Sequence, residues 1–362
     1  MSDEEREDDN DNEDNEDNEE QKEDVDEKEG DEEEEKEAAE EEEPPVSNPL
    51  TEEHFKEGLS LLCKTGNGLA HAFVKFEARE KELTDITLIQ IFIHLRYVDL
   101  SDNLLRDLSP LSCLTHLLWL KVDNNRLTSA AINELPYLQI ASFASNRIKD
   151  TIGINHPRLT TLTLKGNEIE EISGLDPVKL SNLHTLELRS NSLKTTAGLY
   201  LPKLKYLYLA QNSISSLEGL ENMTQLTTLH LRDNLLESLD GFSESMKALQ
   251  YLNLRGNAIA QVEEAAKLQM LPMLRALVLL DNPCSEEGEY RLEVLVQLPR
   301  LERLDKDFFE EDERLDAEDI RQRRREEELE QEREREREKE LELELVRHQG
   351  LAQEGTDGLG GP

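Results

Sequence analysis

Apolar residues recur along the middle of the chain in one short pattern. Residues 204–212 read LKYLYLAQN, residues 226–234 read LTTLHLRDN and residues 249–257 read LQYLNLRGN. In each stretch leucine holds the first, fourth and sixth places and asparagine the ninth. Because successive side chains of a strand point to opposite faces, the fourth and sixth residues share one face, and the third, fifth and seventh share the other. The pattern therefore predicts short strands with one buried leucine face.

The same frame fits six further stretches. They are LRYVDLSDN at 95–103, LLWLKVDNN at 117–125, LQIASFASN at 138–146, LTTLTLKGN at 159–167, LHTLELRSN at 183–191 and LRALVLLDN at 274–282. The nine asparagines lie 21 to 25 residues apart. A strand repeated at this period is the signature of a leucine-rich-repeat solenoid, in which each unit packs only on its neighbours. We predict an α/β solenoid of about nine to ten repeats, with a parallel concave sheet and short helices outside.

The two ends of such a solenoid need caps, because each would otherwise expose its core. At the N-terminal end, LTEEHFKEGLSLLCKTGNG (50–68) predicts one helix with Thr51 as its N-cap, Leu50 packed on Phe55, and Gly66 or Gly68 at its end. A degenerate first coil is expected to follow. Its strand frame contains Phe73, Phe76 and Ala78, with Lys81 in place of the asparagine.

The C-terminal cap is predicted from a resemblance. Residues 282–305 (NPCSEEGEYRLEVLVQLPRLERLD) are similar to the cap of the family that contains the leucine-rich-repeat regulatory subunit of protein phosphatase 1. The matching residues are Asn282-Pro283, Tyr290-Arg291, Leu298-Pro299 and Leu304-Asp305. Cys284 is expected to pack inside this cap.

Charge divides the chain into three parts. Residues 1–44 hold 28 acidic and 4 basic side chains, a net charge of −24. Residues 305–362 hold 22 acidic and 11 basic side chains, a net charge of −11. The total of −41 therefore leaves −6 for the middle of the chain. We predict a disordered acidic arm at 1–48, the capped solenoid at 49–305 and a charged helical or disordered tail at 306–362. Within that tail, residues 315–349 favour a solvated charged helix over a coiled coil. The RQRRR run at 321–325 is a weak candidate for a nuclear signal or a basic patch.

Catalytic and cofactor chemistry find no support in the sequence. The eight histidines form no HExxH motif or other metal-ligand spacing, and there is no GxSxG, Walker or GxGxxG loop. The three cysteines are far apart, which suits a reducing compartment. No apolar run reaches the ~18–20 residues that span a bilayer, and the opening MSDEERED does not resemble a signal peptide. We expect a non-enzymatic protein without cofactor or metal, located in the cytoplasm or cytoskeleton.

The concave face carries the candidate binding residues. Aromatic side chains and arginine are the residues that protein-binding hot spots favour. We expect one aromatic patch, formed by Tyr206, Tyr208, His230 and Tyr251. A basic column lies beside it, formed by Lys165, Arg189, Arg232 and Arg255, and a tryptophan occupies the third place of an earlier repeat. The full candidate set is Trp119, Lys165, Arg189, Tyr206, Tyr208, His230, Arg232, Tyr251 and Arg255. We expect a protein partner there, not nucleic acid, membrane or a small-molecule substrate, since a charge of −41 would repel nucleic acid.

A second resemblance covers roughly residues 50–310 and includes residues outside the repeat frame. The stretches that carry it are 57–77, 93–103, 114–127, 133–146, 201–212 and 274–284. They resemble a leucine-rich-repeat family of the radial spokes of motile cilia and sperm flagella. The resemblance implies a non-enzymatic axonemal protein that helps to assemble the spokes. Two alternatives stay open, a regulatory subunit of a protein phosphatase and an acidic nuclear leucine-rich-repeat protein.

Overall fold

The structure, a computed structural model, describes residues 46–66 and 68–354, with side chains through residue 342. The predicted disorder of the acidic arm lies outside the described residues for positions 1–45. Asn48, which the sequence assigned to the arm, lies against the first coil. Its side-chain amide donates to the carbonyl oxygens of Lys81 and Glu82.

A single sheet contains the thirteen strands of the described residues, arranged in chain order. The strands are β1 (Leu59–Lys64), β2 (His71–Glu77), β3 (Tyr97–Asp99), β4 (Trp119–Lys121), β5 (Ile140–Ser142), β6 (Thr161–Thr163), β7 (Thr185–Glu187), β8 (Tyr206–Tyr208), β9 (Thr228–His230), β10 (Tyr251–Asn253), β11 (Ala276–Val278), β12 (Arg303–Leu304) and β13 (Asp307–Phe308). Strands β2 to β12 are parallel, and the outermost pair at each end is antiparallel. The prediction of a leucine-rich-repeat solenoid is confirmed, with the nine predicted strands as β3 to β11.

Helices lie at the two ends and in the return segments of the coils. The α-helices are α1 (Glu52–Gly58), α2 (Tyr290–Gln297) and α3 (Glu311–Glu354). The 3₁₀ helices are Thr87–Ile91, Ser109–Cys113, Leu220–Asn222, Val262–Met270 and Pro283–Glu286. No described helix combines the length and the apolar composition needed to cross a membrane.

The leucine face of the strands forms the core. In all nine predicted units the fourth and sixth residues are at most 1% exposed. The apolar residues that follow each asparagine, such as Ile148, Ile214 and Leu236, are fully buried beside them. The predicted inward positions are therefore confirmed.

The nine repeat asparagines form a ladder of hydrogen bonds along the solenoid. The Asn234 side-chain oxygen accepts a hydrogen bond from the backbone N–H of Ile214 in the preceding coil, at 3.1 Å. Its side-chain nitrogen lies 3.0 Å from the carbonyl oxygen of Leu209 in that coil and 2.9 Å from that of Leu231 in its own coil. The other eight asparagines repeat this arrangement. Each asparagine thus joins two successive coils through backbone groups that are hidden from water.

The N-terminal cap differs from the prediction. Thr51 is the N-cap, and Leu50 and Phe55 are buried as expected, but the helix ends at Gly58 and not at Gly66 or Gly68. Residues 59–64 instead form β1, which pairs antiparallel with β2 and covers the first edge of the sheet. A Cβ at Gly58 would lie 2.1 Å from the carbonyl oxygen of Glu77, so this close contact requires glycine.

The first coil is partly as predicted. Phe76 and Ala78 are buried, whereas Phe73 is 43% exposed and does not belong to the core. Val74 and Phe76 take the inward positions of β2, so the alternation of the strand turns Phe73 outward. The ring of Phe76 stacks on that of Phe55, with centroids 4.6 Å apart, which joins α1 to the core.

The C-terminal cap closes the sheet through Asp305. One carboxylate oxygen of Asp305 accepts hydrogen bonds from the backbone N–H groups of Leu279 and Leu280, at 2.8 and 3.1 Å. The Tyr290 hydroxyl donates to the other oxygen at 3.1 Å. Cys284 is fully buried in this cap, where burial raises the pKa of its thiol to about 11. A buried, protonated thiol fits the predicted packing role.

Helix α3 begins as part of the cap. Ala317 is fully buried, and Arg291 of α2 bonds Glu313 of α3 with its Nε 2.5 Å from the carboxylate oxygen. Farther along, Leu329 and Leu341 are 48% and 62% exposed, so the described part of the helix presents no buried apolar seam. The prediction of a charged helix is confirmed, with one addition: one face of its first turns packs on the cap through Ala317, while most of their side chains are exposed.

We expect Leu229→Ala to lower the free energy of unfolding by about 2–5 kcal/mol, because the cavity left in the core collapses only partly. Leu235 is a matched control, since its side chain is 56% exposed. Leu235→Ala should change the same quantity by no more than about 0.5 kcal/mol. Urea unfolding followed by circular dichroism measures both. If Leu229→Ala unfolds like the parent, the inward assignment of this position is wrong.

The structure also predicts a pH dependence that originates at His156. This side chain is fully buried, its Nδ1 accepts a hydrogen bond from the Leu135 N–H at 3.2 Å, and its Nε2 has no partner among the described residues. Burial lowers its pKa from 6.5 to about 4. As the pH falls through this window the unfolded chain is protonated first, so stability that is present above pH 6.5 is lost toward pH 4.

Between pH 7 and pH 5 this one group should remove about 2 kcal/mol of unfolding free energy. The check compares that loss in the parent and in His156→Gln, which has no titrating ring. A smaller pH-dependent loss in the variant supports the assignment. An equal loss in both proteins would place the acid sensitivity elsewhere.

Candidate protein-binding surface

The aromatic patch consists of Tyr206, Tyr208, His230 and Tyr251 on strands β8, β9 and β10. Strand pairing sets Tyr208 opposite His230, and Thr228 between Tyr206 and Tyr251. The Tyr208 and His230 rings stack with centroids 4.9 Å apart, and the Tyr251 ring lies 5.1 Å from that of His230. The structure therefore brings together the four residues that the sequence assigned to one patch.

The exposure of the patch suits a contact surface. Tyr206 is 42% exposed, and the other three side chains are half-buried. Burial and the nearby Glu187 carboxylate raise the pKa of Tyr208, so its phenol keeps its proton at neutral pH. Packed rings lose little freedom when a partner arrives, and a phenol adds a directed hydrogen bond.

The basic column is compensated by carboxylates, which the sequence analysis did not predict. Arg189 bonds Glu187 with Nε 2.7 Å from the carboxylate oxygen, and the Arg232 Nε lies 3.1 Å from an Asp233 oxygen. Arg255 reaches Asp281 of the next coil at 2.6 Å. Lys165 is exposed and lies just after β6, three strands from β9. The column is thus a row of ion pairs with little net charge, except at its Lys165 end.

Two arginines border the aromatic patch at larger distance. The Arg189 guanidinium carbon lies 6.0 Å from the Tyr208 ring centroid, and that of Arg303 lies 6.0 Å from the Tyr251 ring centroid. Arg303 belongs to β12, a strand outside the nine predicted units. Sequence reasoning missed it because Arg303 lies in the cap and not in the LxxLxLxxN frame.

Trp119 does not join the aromatic patch. It lies on β4, four strands from β8, and at ~4.8 Å per strand this separates it from Tyr206 by about 19 Å. Its neighbours in the sheet are Tyr97 and Ile140, which are 37% and 39% exposed. Threonine occupies the corresponding positions of β6 and β7. The concave face therefore has two separate apolar areas, and Trp119, a candidate on that face, belongs to the one on β3 to β5.

The residues of this surface suit the binding of another molecule. Within the described part of the chain, no three His, Cys, Asp or Glu side chains are grouped closely enough to hold a metal ion. The ordered rings, paired charges and parallel strands form an extended concave surface of the kind that repeat proteins use for binding.

The chain is a leucine-rich-repeat protein. Family models described as leucine-rich repeat match residues 157–214 and 197–333. A solved structure, that of the TLR13–ssRNA13 complex, superposes with a TM-score of 0.50 at 23% identity, covering 64% of this chain and 38% of that one. That likeness shows the fold alone.

Curated relatives define the family more closely. The chain is 67% identical over 278 residues to human leucine-rich repeat-containing protein 23, an alignment that covers 77% of this chain and 81% of the human protein. It is 60% identical over 282 residues to the Xenopus tropicalis protein of that name, covering 78% and 81%. The chain belongs to the leucine-rich repeat-containing protein 23 family. This membership implies protein binding through the repeats.

Proposed function

We propose that this chain is a non-enzymatic scaffold of the axoneme in cilia and sperm flagella, where its concave face binds another radial-spoke component. The aromatic patch on β8 to β10 carries the binding part of the proposal. The axonemal part rests on the resemblance of residues 50–310 to a radial-spoke family. Many of the matching residues lie outside the repeat frame, where the solenoid fold does not dictate them.

The patch supports a protein partner in three ways. Three aromatic side chains in ring contact, one from each of three strands, give a large contact area that is already ordered. Arg189 and Arg232 are paired with carboxylates on the same face, so they can exchange or share these contacts with polar groups of a partner. The surface also extends over many strands, which suits a protein better than a small molecule.

The test combines Tyr208→Ala with Arg232→Glu in the full-length chain, expressed in cells that build motile cilia. Partner recovery is measured by affinity capture and mass spectrometry, and location by imaging. Because the variant removes an aromatic contact and reverses a charge, we expect binding to weaken by more than ~2 kcal/mol, about 30-fold. Circular dichroism should show an unchanged fold, since neither side chain belongs to the core.

A matched control makes the same two kinds of substitution at positions outside the concave face. Tyr200 is 53% exposed and Arg106 is exposed, and both lie outside the strands. The double variant Tyr200→Ala with Arg106→Glu should capture spoke components like the parent. Equal capture by both double variants would move the binding site off the concave patch. Capture of a phosphatase catalytic subunit, or a nuclear location, would favour the corresponding alternative over the axonemal role.

A further inference from the structure

A second surface lies at the C-terminal end, away from the concave patch. A groove of about 640 Å³ runs between the 3₁₀ helix Val262–Met270, the cap around α2, and α3. Leucines form its floor, with Leu268, Leu271 and Leu298 at most 6% exposed. The base of the groove is therefore apolar, with a small exposed part of each leucine at most.

The walls of the groove are rich in arginine. Arg321, Arg324 and Arg325 line it from one face of α3, because residues three and four apart on a helix are neighbours. Arg300 lines it from the cap, just after Pro299. Glu328 supplies the one carboxylate of the lining. This is a cationic groove on a chain whose net charge is −41.

The four arginines differ in what they already bind. Arg324 holds Glu293 of α2 with both terminal nitrogens, at 2.7 and 2.8 Å, and so fastens α3 to the cap. Arg321 pairs with Glu318 at 2.7 Å, but its Nε is buried and has no acceptor among the described residues. Arg300 and Arg325 make no ion pair within the described part of the chain. Arg324 is therefore occupied by its ion pair with α2, whereas the guanidinium groups of the other three arginines keep N–H donors for a ligand.

We propose that this groove binds an acidic segment of another protein, with an apolar side chain on the leucine floor and carboxylates on Arg300, Arg321 and Arg325. Guanidinium groups match carboxylates in geometry and form strong charge-assisted hydrogen bonds. An acceptor at Arg321 would satisfy a buried donor that is costly to leave unpaired. The RQRRR run at 321–325 is on this reading a docking element, with Arg324 holding the helix in place.

The probe is a fluorescein-labelled dodecapeptide of repeating Leu-Glu-Glu units, and the readout is fluorescence anisotropy with the full-length chain. A Leu-Gln-Gln peptide of equal length tests the need for charge. The variant Arg300→Glu with Arg325→Glu should weaken Leu-Glu-Glu binding at least about tenfold, since it reverses the charge of the two arginines that make no ion pair within the described part of the chain. Arg324 is left intact, so the circular dichroism of the variant should match the parent.

The matched control is Arg323→Glu with Arg333→Glu, which makes the same charge change at exposed positions of α3 outside the groove. It should alter binding by less than about twofold, because local contacts and not net charge hold the peptide. An equal loss in both double variants overturns the proposal. So does the absence of saturable binding, equal binding of the Leu-Gln-Gln peptide, or tighter binding of an oligouridylate through the same arginines.

Discussion

Hydrogen bonds from the buried asparagine side chains are the interaction on which the rest of the structure depends. Where each strand turns away, backbone N–H and C=O groups are hidden from water and need partners. Asn234 supplies them to its own coil through Leu231 and to the preceding coil through Ile214 and Leu209. Every asparagine does the same, so each coil is held in a fixed position against the preceding coil. Residues at the same place of successive repeats therefore form rows across the sheet. The aromatic patch exists because Tyr208 and His230 hold the same place in neighbouring repeats.

The ladder stops at both ends of the solenoid, and at each end other groups must pair with the backbone of the last coil. At the first edge the hairpin of β1 and β2 pairs the sheet with itself. At the last edge Asp305 accepts the N–H groups of Leu279 and Leu280 that lack a further coil. The cap that positions Asp305 also receives α3, through Arg324 on Glu293. The cationic groove is therefore a consequence of how the solenoid ends.

The repeats could be predicted from the sequence because two local rules agree there. Alternation along the strand fixed which leucines face inward, and the asparagine fixed where each strand ends. The rings of the aromatic patch followed from the same frame. The N-terminal cap did not, because LSLLCK is apolar enough for helix or strand, and it forms a strand by pairing with β2, a contact that local sequence does not show. Charge pairing also escaped local reading, since Arg255 meets Asp281 from the next coil. The distance of Trp119 from Tyr206 was present in the sequence, as the number of repeats between them.

The most direct test of this account is the unfolding free energy of Asn234→Ala, measured in urea beside the parent. Asn222→Ala is the control, because within the described residues the polar contact of that side chain is a 3.5 Å approach to Glu221. The account predicts a loss of about 1–3 kcal/mol for Asn234→Ala, since buried backbone groups of two coils lose their partner. It predicts faster hydrogen exchange at the Ile214 amide and little change for Asn222→Ala. An Asn234→Ala protein with the stability and the Ile214 protection of the parent would contradict the ladder as the interaction that fixes the coils.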